Sequence, residues 1–236
     1  AEDFWAEVDA AGGGASGYAR TGRLQPVADG HALALARDRA VTARTLWHGK
    51  ATWEVIEADD AAWVPLSPSG WLIHDTLSAR VHPRKGCAAL VAALKAHGVT
   101  IVAEGPDRGR VLWATGAAGL TEMNATHPRQ VGAGIKGQAA LLDHDARDLP
   151  QLFAQGLHVI PHADGTTAIG STTEREYDDP TGTDALLEDV IDRARAAVPD
   201  LAKARIIERW AGLRPRSRSR APMLGPLPDR PGHYMA

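Results

Sequence analysis

Trp210-Ala211-Gly212-Leu213-Arg214-Pro215 closes an apolar run that begins at Ile206, and Pro222-Met223-Leu224-Gly225-Pro226 follows shortly after it. Ile206 to Trp210 reads as a strand, because apolar and β-branched residues predominate and a glycine ends the run. Arg214 is then fixed between Gly212-Leu213 and Pro215, just after that strand. A planar guanidinium held there can grip a carboxylate through two parallel hydrogen bonds, a contact lysine cannot make. A structural salt bridge is the competing use. Arg214, Arg216, Arg218 and Arg220 alternate along the chain. No aromatic residue is interleaved among them, which argues against a nucleic-acid surface.

Upstream of this stretch, Thr183 to Val198 reads as an amphipathic helix with Leu186, Leu187, Val190, Ile191 and Ala194 on one face, ended by Pro199. Leu157 to Pro161 and Thr166 to Gly170 read as strands joined through Asp164-Gly165, a strong hairpin signal, and from Gln138 onward the texture is that of a sheet built of hairpins. Pro83 opens another helix, whose apolar face is predicted to carry Cys87, Leu90, Val91 and Leu94, with Gly98 past its end. Strands are predicted at Val99 to Val102 and Arg110 to Trp113. Asp29 to Gly49 has a helical pattern with Leu33, Leu35 and Ala36 as core contacts, and Ala51 to Leu77 reads as irregular chain with short strands. Phe4, Trp5 and Val8 mark a short helix over Ala1 to Ala10, stopped by Gly12-Gly13-Gly14.

Composition excludes several classes. The 236 residues carry 26 Lys plus Arg against 29 Asp plus Glu, so the chain is not a globally basic nucleic-acid binder. Cys87 is the sole cysteine, which rules out an intrachain disulfide and makes a reducing cytoplasm the natural compartment. On the predicted apolar face its thiol is a packing residue rather than a nucleophile. No apolar run approaches the roughly 18 to 20 residues that span a bilayer, so a soluble chain with no membrane partner is expected. The amino terminus lacks both a methionine and the apolar core of a signal peptide, so the true start is expected to lie upstream. Gly12-x-Gly14-x-x-Gly17 matches the dinucleotide fingerprint in letters, but a helix precedes it where a strand is needed, and it reads as a linker. His158 and His162 lie on a strand and its turn, where a spacing of four does not converge two imidazoles, and no metal site is expected. Gly-x-Ser-x-Gly and a phosphate loop are both absent.

Four segments, in order, resemble the FAD-dependent D-amino-acid oxidase, glycine oxidase and sarcosine oxidase superfamily. The Trp210 to Pro215 and Pro222 to Pro226 stretches resemble its late motif. Val111-Leu112-Trp113-Ala114-Thr115-Gly116 resembles its strand and turn against the flavin nucleotide, and Ile135-Lys136-Gly137-Gln138 its Arg-Gly-Gln segment entering the substrate sheet. Val159 to Thr172 resembles the hairpin that follows.

The resemblance implies a mixed α/β and α+β fold: a partial Rossmann-like FAD domain plus a substrate domain with a mixed, largely antiparallel sheet. It divides the chain into residues 1–80 and 127–211 on the substrate side and 81–126 and 212–236 on the flavin side. It also implies FAD as cofactor, with Ala114, Thr115 and Gly116 against it. The substrate would be an amino acid or related amine, oxidised by hydride transfer to flavin. Arg214 would orient the substrate carboxylate, and His158 stands where glycine oxidases carry a tyrosine over the substrate. Ser217-Arg218-Ser219-Arg220 replaces the usual Thr-Pro-Asp-Gly. The family's amino-terminal strand, Gly-x-Gly-x-x-Gly turn and ribose-binding acid have no counterpart here. The chain is therefore expected to be an incomplete part of a longer polypeptide, carrying no stoichiometric FAD as given. The alternative is a cofactor-free fragment or subunit acting as a binding module; homo-oligomer and companion chain both stay open.

Overall fold

Alternation of apolar and polar residues builds the main sheet of this protein, whose computed structural model describes residues 1–236. Strands β7 (Leu157–Pro161) and β8 (Thr166–Gly170) form the expected hairpin, and Gly165 in its turn has φ 84°, a left-handed conformation that suits glycine. Leu157 and Val159 are buried while His158 between them faces the opposite side. The sheet continues through β6 (Gln151–Ala154), β1 (Arg23–Pro26), β3 (Trp71–Asp75) and β2 (Trp53–Glu57) on one side. On the other side lie β5 (Gly132–Asp143) and then β9 (Arg205–Ser217). β1 pairs with β6 in parallel, whereas β2–β3, β1–β3, β6–β7, β7–β8 and β5–β8 are antiparallel. The sheet is thus mixed and mostly antiparallel, as expected.

Two compact units are present: residues 1–100, 139–171 and 184–209 form one, and residues 101–138, 172–183 and 210–236 the other. In the first unit the helix α5 (Ala185–Ala197) starts at Asp184, whose carboxylate accepts from the Leu186 amide at 2.9 Å. Its buried Leu187, Val190, Ile191 and Ala194 pack with Leu142, Leu152, Leu157, Val159 and Ile169 of the sheet. Each large side chain removed from water there contributes about 1.5–3 kcal/mol before entropy is counted. Leu186, assigned to the same face from sequence, is exposed. The helix α2 (Gly30–Leu46) is capped by Asp29 and buries Ala36, Ala40 and Ala43, while Leu35 is exposed.

The helices α1 (Glu2–Gly12) and α3 (Pro83–Ala96) correct the sequence reading of the Pro83 helix. Its buried face is Gly86, Ala89 and Ala93, packed on Val8 and Trp5 of α1. Cys87, Val91 and Leu94 are exposed instead. The backbones approach so closely that a Cβ on Gly12 would lie 2.9 Å from the Ala93 nitrogen and 3.0 Å from the Ala89 carbonyl oxygen. Small residues are needed on the facing stripe, and the larger apolar ones rotate outward. The reading of Cys87 as a buried packing residue is overturned by the same geometry.

In the second unit, β4 (Val111–Trp113) leads through Ala114-Thr115 into α4 (Gly116–Thr126). β4 pairs in parallel with β11 (His233–Met235), which pairs antiparallel with β10 (Gly225–Pro226). Val99 to Val102 has no regular structure and no strand partner, and Val99, Ile101 and Val102 are exposed, so the strand expected there does not form. β-branched residues favour extended chain, but a ladder needs a neighbour. β9 is longer than expected and carries Arg214, Pro215 and Arg216 within the strand rather than after it.

Candidate active site

Two segments singled out from sequence meet in the second unit. A cavity of about 400 Å³ is lined by Thr115, Gly116 and Leu120 of the β4–α4 segment and by Pro215, Arg216, Arg220, Met223 and Met235 among others. At the β4–α4 turn, Gly116 has φ 59° and Thr115 makes no side-chain cap to the helix. The first amides of α4 therefore keep donors that its own N-cap side chain does not satisfy, and the helix dipole adds partial positive charge there. A Cβ on Gly119 would lie 1.9 Å from Thr115 Oγ1, so glycine at that place is what lets the threonine hydroxyl fold over the helix start. The expected cofactor residues thus fall as follows: Thr115 and Gly116 line the cavity, and Ala114 sits one residue earlier, between β4 and the cavity wall. With the α4 start, the Thr115 hydroxyl and the Arg216 and Arg220 guanidinium groups in its lining beside apolar Pro215, Met223 and Met235, the cavity suits a ligand that has both an anionic and a flat apolar part. Part of an FAD molecule has that character, and these residues fit it.

Arg214 is anchored within the same unit. Its Nη2 donates to the Thr172 carbonyl at 2.8 Å and to Thr173 Oγ1 at 3.3 Å. Gly137 makes room for it: a Cβ there would sit 3.1 Å from the guanidinium carbon. The flanking residues hold this segment through a buried polar network. Lys136 Nζ lies 3.7 Å from Glu174, Gln138 Nε2 donates to Glu174 at 3.0 Å, and the Gln138 amide donates to Thr172 Oγ1 at 2.8 Å. The Thr172 hydroxyl in turn donates to Glu174. Glu174 is the hub of the network, and sequence reasoning passed over it. Its only signal was its place just after the Val159 to Thr172 segment.

His158 belongs to the first unit. It stands on β7 with Gly170 opposite it and the Phe153 ring 4.8 Å from its own. Burial lowers its pKa and the nearby Arg23 charge adds to the effect, so the ring is neutral at physiological pH. Arg214 and His158, both expected to contact substrate, therefore come from different units.

His162 does converge with other candidate ligands, though not with His158. Ligand atoms of His82, His162 and Asp164 lie within 4.8 Å of one another, the His82 and His162 rings being 4.3 Å apart. Lys85 Nζ reaches Asp164 at 2.9 Å and already supplies the cation that this carboxylate faces. Burial and the neighbouring His82 push His162 down to about 4. Burial would raise the Asp164 pKa, but hydrogen bonds from Thr166 and Lys85 outweigh it and hold this carboxyl below the usual range. His82 is 80 positions upstream of His162, so no local spacing could have announced the cluster.

A mixed, mostly antiparallel sheet packed by helices and a strand–turn–helix cavity define a mixed α/β protein. The family model for FAD dependent oxidoreductases of the D-amino-acid oxidase type matches residues 1–236, and the chain belongs to that family. Glycine oxidase of Pseudomonas aeruginosa is 38% identical over 102 residues, covering 43% of this chain and 28% of that protein. Hydrogen cyanide synthase subunit HcnC of the same species is 34% identical over 121 residues, 51% of this chain and 29% of its own length. The matched stretch thus spans under a third of these curated relatives. Among solved structures, glycine oxidase from Geobacillus kaustophilus superposes with a TM-score of 0.79 at 18% identity, covering 100% of this chain and 70% of that one. Iminodiacetate oxidase from Chelativorans sp. BNC1 gives 0.83 at 20% identity, covering 99% and 70%. These likenesses show the fold. No helix here is long and apolar enough to cross a membrane.

Proposed function

We propose that the chain is the larger part of an FAD-dependent oxidoreductase that oxidises an amino acid or a related amine. In this reading residues 81–126 and 212–236 serve the flavin side and the remainder the substrate side. Thr115, Gly116 and the α4 amides would hold part of the FAD. When bound, the flavin supplies the hydride acceptor. The chain's own residues position the amine. Arg214 would take the substrate carboxylate in a two-pronged contact, its plane set by Thr172, Thr173 and the opening at Gly137. His158, neutral, would contact the substrate body without adding a competing positive charge.

The observation that carries this reading is the anchoring of Arg214 over Gly137, next to a cavity lined by the Thr115-Gly116 turn of the same unit. The test uses the flavin-loaded protein expressed from its complete reading frame, assayed on a panel of amino acids and secondary amines. Arg214→Lys keeps the charge but loses one of two charge-assisted hydrogen bonds. It is expected to lower kcat/KM about ten- to a hundredfold with FAD content unchanged. Full activity in that variant, or a loss matched by loss of FAD, would overturn the clamp role.

A further inference from the structure

We propose that a second cavity of the 101–138, 172–183 and 210–236 unit, lined by Arg175, Arg216, Arg218 and Arg220, is a binding site for a compact dianion: a small molecule bearing either a phosphate or two carboxylates. The cavity measures about 340 Å³ and adjoins the one at the Thr115 turn, sharing Arg216, Ser217 and Arg220 with it, and Gln130 adds a neutral donor to the four guanidinium groups. No aspartate or glutamate lines it. None of the four arginines takes part in the ion pairs of the structure, which elsewhere consume Arg84, Arg147, Arg193, Arg205 and Arg209. Arginines drawn from positions 175 and 216–220 therefore converge on one concavity with their charges uncompensated. Like charges gathered in this way repel, and a multivalent oxyanion is the ligand that relieves the repulsion.

The backbone points the same way. Arg220 has φ 63°, the left-handed conformation that glycine adopts without strain. It is held by its own amide donating to the Ser217 carbonyl at 3.1 Å and by the Ser217 hydroxyl donating to the Ala221 carbonyl at 2.6 Å. The chain thus keeps a guanidinium where backbone geometry favours a glycine. Strain retained at a ligand-facing position is characteristic of sites that gain from the side chain. A polymer is a poorer occupant, since the cavity is small and no aromatic side chain lines it for base stacking.

Calorimetric titration of the whole chain at low ionic strength, with sodium phosphate and separately with sodium succinate, tests the site. One saturable site per chain is expected. Tighter phosphate binding assigns a phosphorylated ligand, and tighter succinate binding a dicarboxylate. Arg220→Gly suits the local backbone, so the variant should melt no lower than the parent while binding the anion about tenfold more weakly. Arg175→Gln, on a separate segment, should weaken binding to a similar degree. No saturable binding of either anion, unchanged affinity in both variants, or arginine-dependent binding of an oligonucleotide without binding of either small anion would each overturn the proposal. The readout needs neither flavin nor turnover, so it stands or falls apart from the Arg214 clamp.

Discussion

At the scale of single residues, His162 gives the sharpest expectation. Its pKa is about 4 in the folded chain against about 6.5 for an unperturbed histidine. The unfolded chain then binds more protons between those values, so stability is complete above pH 6.5 and falls as pH drops toward 4. The loss from this one ring is about 3 kcal/mol at most. His162→Gln, measured by denaturant unfolding at pH 7 and pH 4.5, should lose less stability on acidification than the parent; an equal loss would remove His162 from the account. Residue-level chemistry was only partly legible in the sequence. That Arg214 is held in place could be read because a glycine and a proline bracket it, and its Nη2 is indeed fixed by Thr172 and Thr173. Glu174 could not, since its importance comes from the Lys136, Thr172 and Gln138 groups that folding brings to it.

Elements defined by local signals were readable, and those defined by partners were not. Asp184 announces α5 and Asp164-Gly165 announces the β7–β8 turn through contacts spanning a few residues. The face of α3 depends on how closely α1 approaches, and the end of β9 depends on its neighbour in the sheet: the Arg218 amide donates to the Val131 carbonyl at 2.8 Å, beyond any local pattern. The helix α4 passed unnoticed because Gly116, Gly119 and its weak apolar stripe resemble loop. The α1–α3 contact makes a prediction at this scale. Gly12→Ala places a methyl against the Ala93 and Ala89 backbones and should cost about 1–3 kcal/mol. Gly14, where a methyl would meet no atom within 4 Å, serves as the control, and Gly14→Ala should be close to neutral. Thermal or urea unfolding of the two variants decides the matter; equal midpoints would refute the tight-contact account.

For the molecule as a whole, the fold class was legible because ordered motifs outlast the details around them, whereas the convergence of the Thr115 turn and the Pro215 to Met223 stretch on one cavity is a product of folding. Residues 99–110 join the first part of one compact unit to the other, and every one of them is exposed and outside regular structure. Limited trypsin digestion is therefore expected to cut first at Arg108 or Arg110. First cleavage within α5 or the β7–β8 hairpin would contradict that. The outward turn of Cys87 has a practical consequence as well. It is the sole thiol of the chain and it is exposed, so a maleimide dye would attach at one address without competition from other sulfurs. The indole of Trp5, seated against the adjacent Gly86, is an electron donor that quenches suitable dyes at short range. A dye on Cys87 would stay dim while the α1–α3 pair holds and brighten as it parts, giving an optical gauge of that one contact in a chain whose seven tryptophans would otherwise blur every signal together.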